Sequence, residues 1–331
     1  MHMSVQNRQQ WAFDDLCSHD YQTKSVTLYI ETTTSEHPRI WMLSLDCLEA
    51  LDYVIWLGAE TQAAAMAACN QSTISRRARQ AVSTFDIQLI KADNAWNTLP
   101  ASNLLTLERQ VHQLFRFSRH RRLRLDSDHW AGRQLVQTLP TAWIHRGRGC
   151  IGIERPMHLL RERIIDAWMT CTKPDLPASD DPTYQVIELA SMPLAIACAP
   201  GHPLTHAKAL SVGDLQQFPS LGVASHHYPQ FAQAMQAHGV WNAPQAMRTY
   251  SYEQWEGRAL QERFTIPINP LSTAADSPLI PLDFSLSIDD CIAVVIRRDT
   301  SEQPAIHELL QHLQQQIHTL SLEHPQLTAL T

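Results

Sequence analysis

Residues 61–83, TQAAAMAACNQSTISRRARQAVS, decide how the chain is read. The alanines at 63, 64, 65, 67 and 68 favour a helix and carry little bulk, so a neighbouring helix can come close. Thr61 is a good N-cap for a helix over Gln62–Cys69, and Asn70–Gln71 breaks it. Ser72 or Thr73 then caps a second helix running to about Ser83. Two short helices joined by a tight turn form a helix-turn-helix pattern. On this spacing Ser72, Thr73, Arg76, Arg77 and Gln80 share the open face of the second helix. Arg76, Arg77 and Arg79 stand in a stretch without a carboxylate between Cys69 and Phe85. A guanidinium there can bond guanine O6 and N7 or neutralise a phosphate. Gln71, Ser72, Thr73 and Ser75 add short polar contacts to backbone or base. The plainer alternative is a solvated helix face with a capping serine.

Working outward, residues 1–41 are polar and rich in Thr, Gln and His, with Ser25–Glu31 as a possible short strand. They read as a dispensable extension; the alternative is an arm packed on a dimer. From Met42, the residues Leu43, Leu45, Leu48, Leu51 and Ile55 recur mostly at three- and four-residue steps, an amphipathic helix. Downstream, Asp86–Leu99 alternates apolar residues around a turn at Asp93–Asn97, which predicts a hairpin or wing carrying Lys91. A longer helix begins at Ala101. Its Leu104, Leu107, Val111 and Leu114 follow the 3-4-3 spacing of a coiled-coil seam, while Arg109, Gln110, Gln113, Arg116 and Arg119 leave the other face polar. That favours a dimerising linker helix over 101–120 against an ordinary core helix. The basic run Arg116–Arg124 reads as its solvated end.

Beyond Arg122 the pattern becomes strand–helix–strand. Strands are expected at Leu123–Leu125, Cys150–Ile153, Ala167–Thr170, Leu194–Ala199, Met247–Tyr250, Phe264–Ile268 and Ile292–Arg297. Helices are expected at Asp128–Leu139, Met157–Ile165, Gln230–Ala237, Tyr252–Glu262 and Pro304–Ile317. Such alternation indicates α/β architecture with mainly parallel sheets.

Composition closes several other routes. The chain has 331 residues, 44% of them hydrophobic and 18% charged, enough to bury two or three cores. No apolar run approaches the roughly 18 residues that cross a bilayer, and the polar opening stretch carries no signal peptide. Seven scattered cysteines without a C-x-x-C pair read as reduced thiols of the cytoplasm, with Cys198 buried and inert. The net charge of −7 excludes a basic nucleic-acid coat but not a local DNA-binding face. His202 and His206 are four apart, but Pro203 opposes the helix that would align them on a metal. No Gly-rich phosphate loop, G-x-S-x-G or H-E-x-x-H occurs, so neither a cofactor, a metal nor catalysis is expected.

Three blocks carry a resemblance. Ala63–Ser75 (AAAMAACNQSTIS) resembles the helix-turn-helix of LysR-type transcriptional regulators, with Ala63, Ala64, Gln71, Ile74, Ser75 and then Arg76 in register. Thr98–Leu105 (TLPASNLL) is similar to that family's entry into its linker helix. Met192–Leu204 (MPLAIACAPGHPL) followed by Leu210–Pro219 (LSVGDLQQFP) is similar to a passage of its effector domain. Departures lie at Ala67, Ala81–Val82 and the wing, where Ala92, Asn94 and Ala95 stand in place of common family residues.

The resemblance implies a multidomain α+β protein. Its parts are a winged helix-turn-helix at 42–100, a linker helix at 101–120, and an α/β periplasmic-binding-protein-like effector domain at 121–331. Two subdomains would be crossed by strands near 189–194 and 285–292. Double-stranded DNA, a small-molecule effector and a homodimer or homotetramer are the implied partners, and no membrane. The effector cleft is expected at the loops Ser127–Trp130, Ala224–His227 and Thr249–Ser251, with Ser127, His129, Ser225, His226, Tyr250 and Ser251 as its residues. Asp126 and Asp128 either aim into it and disfavour an anion, or Asp128 simply caps its helix, which is the expected role. The rival reading is a regulator-derived protein that has lost sequence-specific DNA binding and acts through ligand or protein contacts.

Overall fold

A computed structural model describes residues 43–92, 95–147, 149–222, 225–241, 245–246, 257–260, 263–272 and 277–330. The expected strands at Ser25–Glu31 and Met247–Tyr250, and most of the helix Tyr252–Glu262, lie outside these residues.

Helices α1 (Leu45–Leu57), α2 (Glu60–Met66) and α3 (Gln71–Thr84) lead into an antiparallel hairpin of β1 (Gln88–Ala92) and β2 (Ala95–Leu99). Neither expected cap is used. The carbonyl of Ala59 accepts Ala63 N–H at 3.0 Å, so α2 starts ahead of Thr61. The carbonyl of Asn70 accepts the N–H groups of Thr73 and Ile74, which puts Ser72 and Thr73 inside the first turn of α3. In α1 every residue from Cys47 to Leu57 except Glu49 is buried. A helix apolar all round needs a cover on both sides. Here α2 and α3 provide one, with Ala63, Ile74, Ala78 and Ala81; Leu159, Leu160, Ile164, Ile165 and Trp168 of the following region complete the same core.

Helix α4 (Asn103–Arg119) starts at Ser102, whose hydroxyl accepts Leu105 N–H at 3.3 Å. Its two faces are inverted relative to ordinary burial. Leu104, Leu107, Val111 and Leu114 are 61%, 59%, 59% and 47% exposed, so the apolar seam is not core. Arg109, Gln113 and Arg116 are buried, as is Arg124; of the basic run expected to be solvated, Arg119 and Arg121 are exposed, while Arg116 and Arg124 correct the expectation. Carboxylates explain the inversion. Asp52 of α1 accepts Arg109 Nε at 2.9 Å and Arg124 Nη1 at 3.3 Å. Arg109 Nη1 also reaches Glu162 at 2.8 Å. Asp166 accepts Arg116 Nε and Nη2 at 3.1 and 2.8 Å, Gln113 Nε2 at 3.0 Å and the Arg124 backbone N–H at 2.8 Å.

The remaining elements are β3 (Leu123–Ser127), α5 (Gly132–Leu135), β4 (Trp143–His145), α6 (Glu154–Arg161), β5 (Ala167–Thr170), β6 (Tyr184–Pro193), β7 (Ala195–Cys198), α7 (Val212–Leu215), β8 (Leu221–Gly222), α8 (Pro229–Ala237), β9 (Gln245–Ala246), α9 (257–260), β10 (Thr265–Ile268), β11 (Ile280–Pro281), β12 (Asp289–Arg297), α10 (Pro304–Glu323) and β13 (Thr328–Ala329). The larger sheet runs β13-β6-β12-β5-β3-β4, and the smaller β10-β7-β11. Among the described strands only β4-β3-β5 and β8-β9 pair in parallel; β12 is antiparallel to both β5 and β6, which corrects the mainly parallel expectation. The reason is that β6 runs out of the larger sheet into β7 of the smaller, and β12 returns in the opposite sense. Leu194 N–H bonds Ile288 carbonyl where the two passages meet, at 3.2 Å. The expected helix at Asp128–Leu139 shrinks to α5. The expected strand at Cys150–Ile153 reduces to a single bridge between Cys150 and Asp128, because Gly152 turns away at φ +89°.

Removing Asp52 leaves two buried guanidinium groups short of a counter-charge. Asp52→Ala should therefore destabilise the fold by about 3–5 kcal/mol, read from the urea denaturation midpoint.

Candidate ligand cleft and candidate nucleic-acid face

Between the two sheets lies a cleft that opens to solvent. Trp130, Tyr228, Phe231 and Trp241 form aromatic walls, Leu194, Pro267 and Ile268 add apolar surface, and Cys171, Thr172, Asn269, Ser272 and Asp290 form the more polar side. The walls are built by short-range bonds. Asp128, just past β3, accepts Ala131 N–H at 2.6 Å, Thr170 hydroxyl at 2.9 Å and Cys171 N–H at 2.8 Å. It fixes the turn carrying Trp130 to the end of β5 rather than capping a long helix. Asp175 accepts the N–H groups of Gln230 and Phe231 at 2.8 and 2.9 Å, so the start of α8 is anchored with Phe231 in the wall. Trp241 lies flat against Gly222, where a Cβ would sit 2.1 Å from the indole; only glycine leaves that space.

On the polar side, Asn269 donates from Nδ2 to Asp290 at 2.8 Å, and its Oδ1 accepts Leu271 N–H at 3.0 Å. Burial pushes the Asp290 carboxyl up to about 7, and the nearby Asp128 adds to the rise. Burial raises Asp128 as well, against the hydrogen bonds that favour its charge.

The residues expected to bind an effector are distributed as follows. Ser127 is buried in β3 with its hydroxyl 2.9 Å from His145 Nε2 and does not line the cleft. Burial pulls that imidazole down to about 4. His129 packs edge-on against Trp130 at 5.8 Å, behind the wall. Ser225 and His226 are exposed in the turn before α8, and Tyr250 and Ser251 lie outside the described residues. Neither Asp126 nor Asp128 lines the cleft. Sequence reasoning passed over Tyr228, Trp241, Asn269 and Asp290. A usable signal existed in bulky aromatics placed against proline and glycine, and in an acid opening the apolar run 291–296.

At the other end, α3 exposes Gln71, Ser72, Arg76 and Arg79, while Thr73 is half-buried. Ser75 is buried and accepts Arg79 Nη2 at 2.7 Å. Arg77 is drawn to Asp46 at 2.7 Å, and Gln71 donates to Glu60 at 3.1 Å. Lys91 is exposed on the hairpin, 5.7 Å from the Trp96 ring centre. The Trp96 indole in turn donates to Gly58 carbonyl at 3.1 Å, and Arg155 Nη1 reaches Asn97 at 2.9 Å, so the hairpin is held to the body.

Two α/β regions around an aromatic cleft make the C-terminal part an effector-binding domain. The LysR substrate binding domain matches residues 152–317, and the chain belongs to the LysR family of regulators. Its fold is similar to that of a full-length OxyR variant from Pseudomonas aeruginosa, at 13% identity and TM-score 0.55, over 82% of this chain and 95% of that one. It is also similar to the probable transcriptional regulator PA0477 from Pseudomonas aeruginosa, at 12% identity and TM-score 0.53, over 81% and 95%. A Corynebacterium glutamicum OxyR mutant aligns at 15% identity and TM-score 0.50, over 86% and 95%. No curated protein matches the chain.

The raised Asp290 carboxyl sets a pH test. From about pH 4 to pH 7 the unfolded chain gives up this proton while the folded chain keeps it, so its contribution to stability falls as pH rises. Asp290→Asn removes that slope. The variant should be more stable than the parent at pH 8 by on the order of 2 kcal/mol, with the difference fading towards pH 4 in urea titrations.

Proposed function

We propose that the chain is a LysR-type regulator that binds double-stranded DNA through a winged helix-turn-helix at 42–100, and that a small molecule in the cleft modulates this binding. The observation that carries the reading is the exposed face of α3. It presents Arg76 and Arg79 beside a hairpin bearing Lys91, in one chain with a LysR substrate-binding domain. On this reading Gln71, Ser72, Thr73, Arg76, Arg77 and Arg79 face the duplex, and Ser75 positions Arg79 through their hydrogen bond. Helix α4, at 101–120, is the dimer element. Its seam of Leu104, Leu107, Val111 and Leu114 leaves apolar surface in water that a second copy would cover, as a dimer or a dimer of dimers. Residues 121–331 form the effector domain, and the protein works in the cytoplasm on DNA rather than as an enzyme.

The route from cleft to head is short. Trp56 of α1 donates to Asp126 at 3.1 Å; two residues further along the chain, Asp128 braces Trp130 and Cys171 of the cleft. A ligand that shifts this wall changes the footing of α1, and it regulates only if its affinity differs between the two arrangements. A second reading, in which specific DNA binding has been lost, draws on Arg77, whose guanidinium is engaged by Asp46.

Fluorescence anisotropy with DNA from upstream of its own gene separates the two. The Arg76→Ala plus Arg77→Ala double variant should lose retention against random-sequence competitor. It should also lower the salt slope by about one unit for each phosphate contact removed. Absence of any salt-dependent binding by the parent at low salt would leave the second reading. Independently, Leu107→Asp plus Val111→Asp should convert the dimer to monomer in sedimentation velocity while the far-UV circular dichroism of the folded chain is retained.

A further inference from the structure

The cleft carries charge of one sign. Asp290 lines it, and the described lining residues include no Lys, Arg or His. The Lys173 ammonium turns to Glu188 at 2.8 Å, and it is the backbone N–H of that residue that faces Asp290, at 3.4 Å. Behind the wall, Asp128 accepts from Ala131, Thr170 and Cys171, all neutral donors. Neither carboxyl has an ion-pair partner among the described residues. An anion entering here would lose its water beside two acids, with only neutral donors such as the Tyr228 hydroxyl and the Trp241 indole N–H to offset the loss. Asp290 takes Asn269 Nδ2 at 2.8 Å, the Lys173 backbone N–H at 3.4 Å and the Cys291 backbone N–H, all neutral donors that leave its charge without a counter-ion. Opposite stand aromatic rings, with Trp130 and Tyr228 centred 5.6 Å apart and Phe231 and Trp241 5.7 Å apart. Electron-rich ring faces attract an ammonium or the polarised methyl and methylene groups beside it.

We propose that the cleft takes a small organic cation, an arylalkyl amine or its quaternary analogue, with Asp290 as counter-ion and the four aromatic rings around its apolar frame. The assignment rests on reading the cleft as the effector site and adds the chemical class of what enters it. It also sets a direction with pH. Around Asp290 are Asp128, the thiols of Cys171 and Cys291, the Lys173 backbone N–H and the Asn269 amide. With the carboxyl pushed up to about 7 in the empty cleft, a cation binds its ionised form and is released as pH falls through that value.

The test is calorimetry on the full chain with four probes of one frame: 2-phenylethylamine, trimethyl(2-phenylethyl)ammonium, 2-phenylethanol and 3-phenylpropionate. Both cations should bind at least about tenfold more tightly than the alcohol, and the propionate not measurably. Cation affinity should rise by close to tenfold (~10) from pH 6 to pH 8, following the ionised fraction of Asp290. Asp290→Asn should lose about tenfold for the cations, erase the pH dependence and leave the alcohol unchanged. Equal binding of amine and alcohol, or an amine affinity indifferent to pH and to Asp290→Asn, overturns the proposal. Binding of the propionate or the alcohol alone, lost in Trp241→Ala, overturns the cation while the cleft stands as a ligand site. No binding by any probe overturns the cation and removes support from the cleft reading together.

Discussion

Two buried carboxylates hold the centre of this molecule. Asp52 gathers Arg109 and Arg124, and Asp166 gathers Arg116, Gln113 and the backbone of β3. Pairs like these add little net stability against an apolar alternative, since each ion has first to leave water. What they do is restrict geometry. The rotation of helix α4 about its axis that brings Arg109 and Arg116 to their carboxylates also turns Leu104, Leu107, Val111 and Leu114 outward. The apolar seam is therefore displayed because the charged face is claimed, and the two facts are one constraint.

The same constraint explains which parts of the chain could be read in advance. The alanine-rich stretch, the arginines of α3, the hairpin around Asp93–Asn97 and the 3-4-3 seam are local patterns, and local backbone preference is enough to produce them. The partners of Arg109 and Arg116 lie 57 and 50 residues away, so nothing near them in sequence announces burial. Strand direction in the larger sheet failed to show for a similar reason. A run such as Ile292–Arg297 is apolar whether it pairs in parallel or returns antiparallel. The cleft was least legible. Its walls come from the turn after β3, the start of α8, Trp241 four residues beyond that helix and the segments around β10 and β12, which meet only after both sheets have formed. The expected residues were sought at strand ends: Trp130 closes one expected loop and Tyr228 follows another, but Phe231 and Trp241 lie outside all three.

The cleft and the helical head are joined by one strand. In β3 and the residue after it, Arg124, Asp126 and Asp128 all point to buried partners: Asp52, Trp56, and the Thr170–Cys171 corner. Alternate side chains of a strand share a face, so these three acidic and basic groups stand in one row.

The shared core of α1 has a further consequence. Trp56 on the head and Trp168 on the sheet are packed into one apolar volume, with Leu159 and Ile165 between the same layers. The chain is thus divisible on paper and indivisible in water. A cut on either side of α4 would uncover both indoles and strand the guanidinium groups of Arg109 and Arg124.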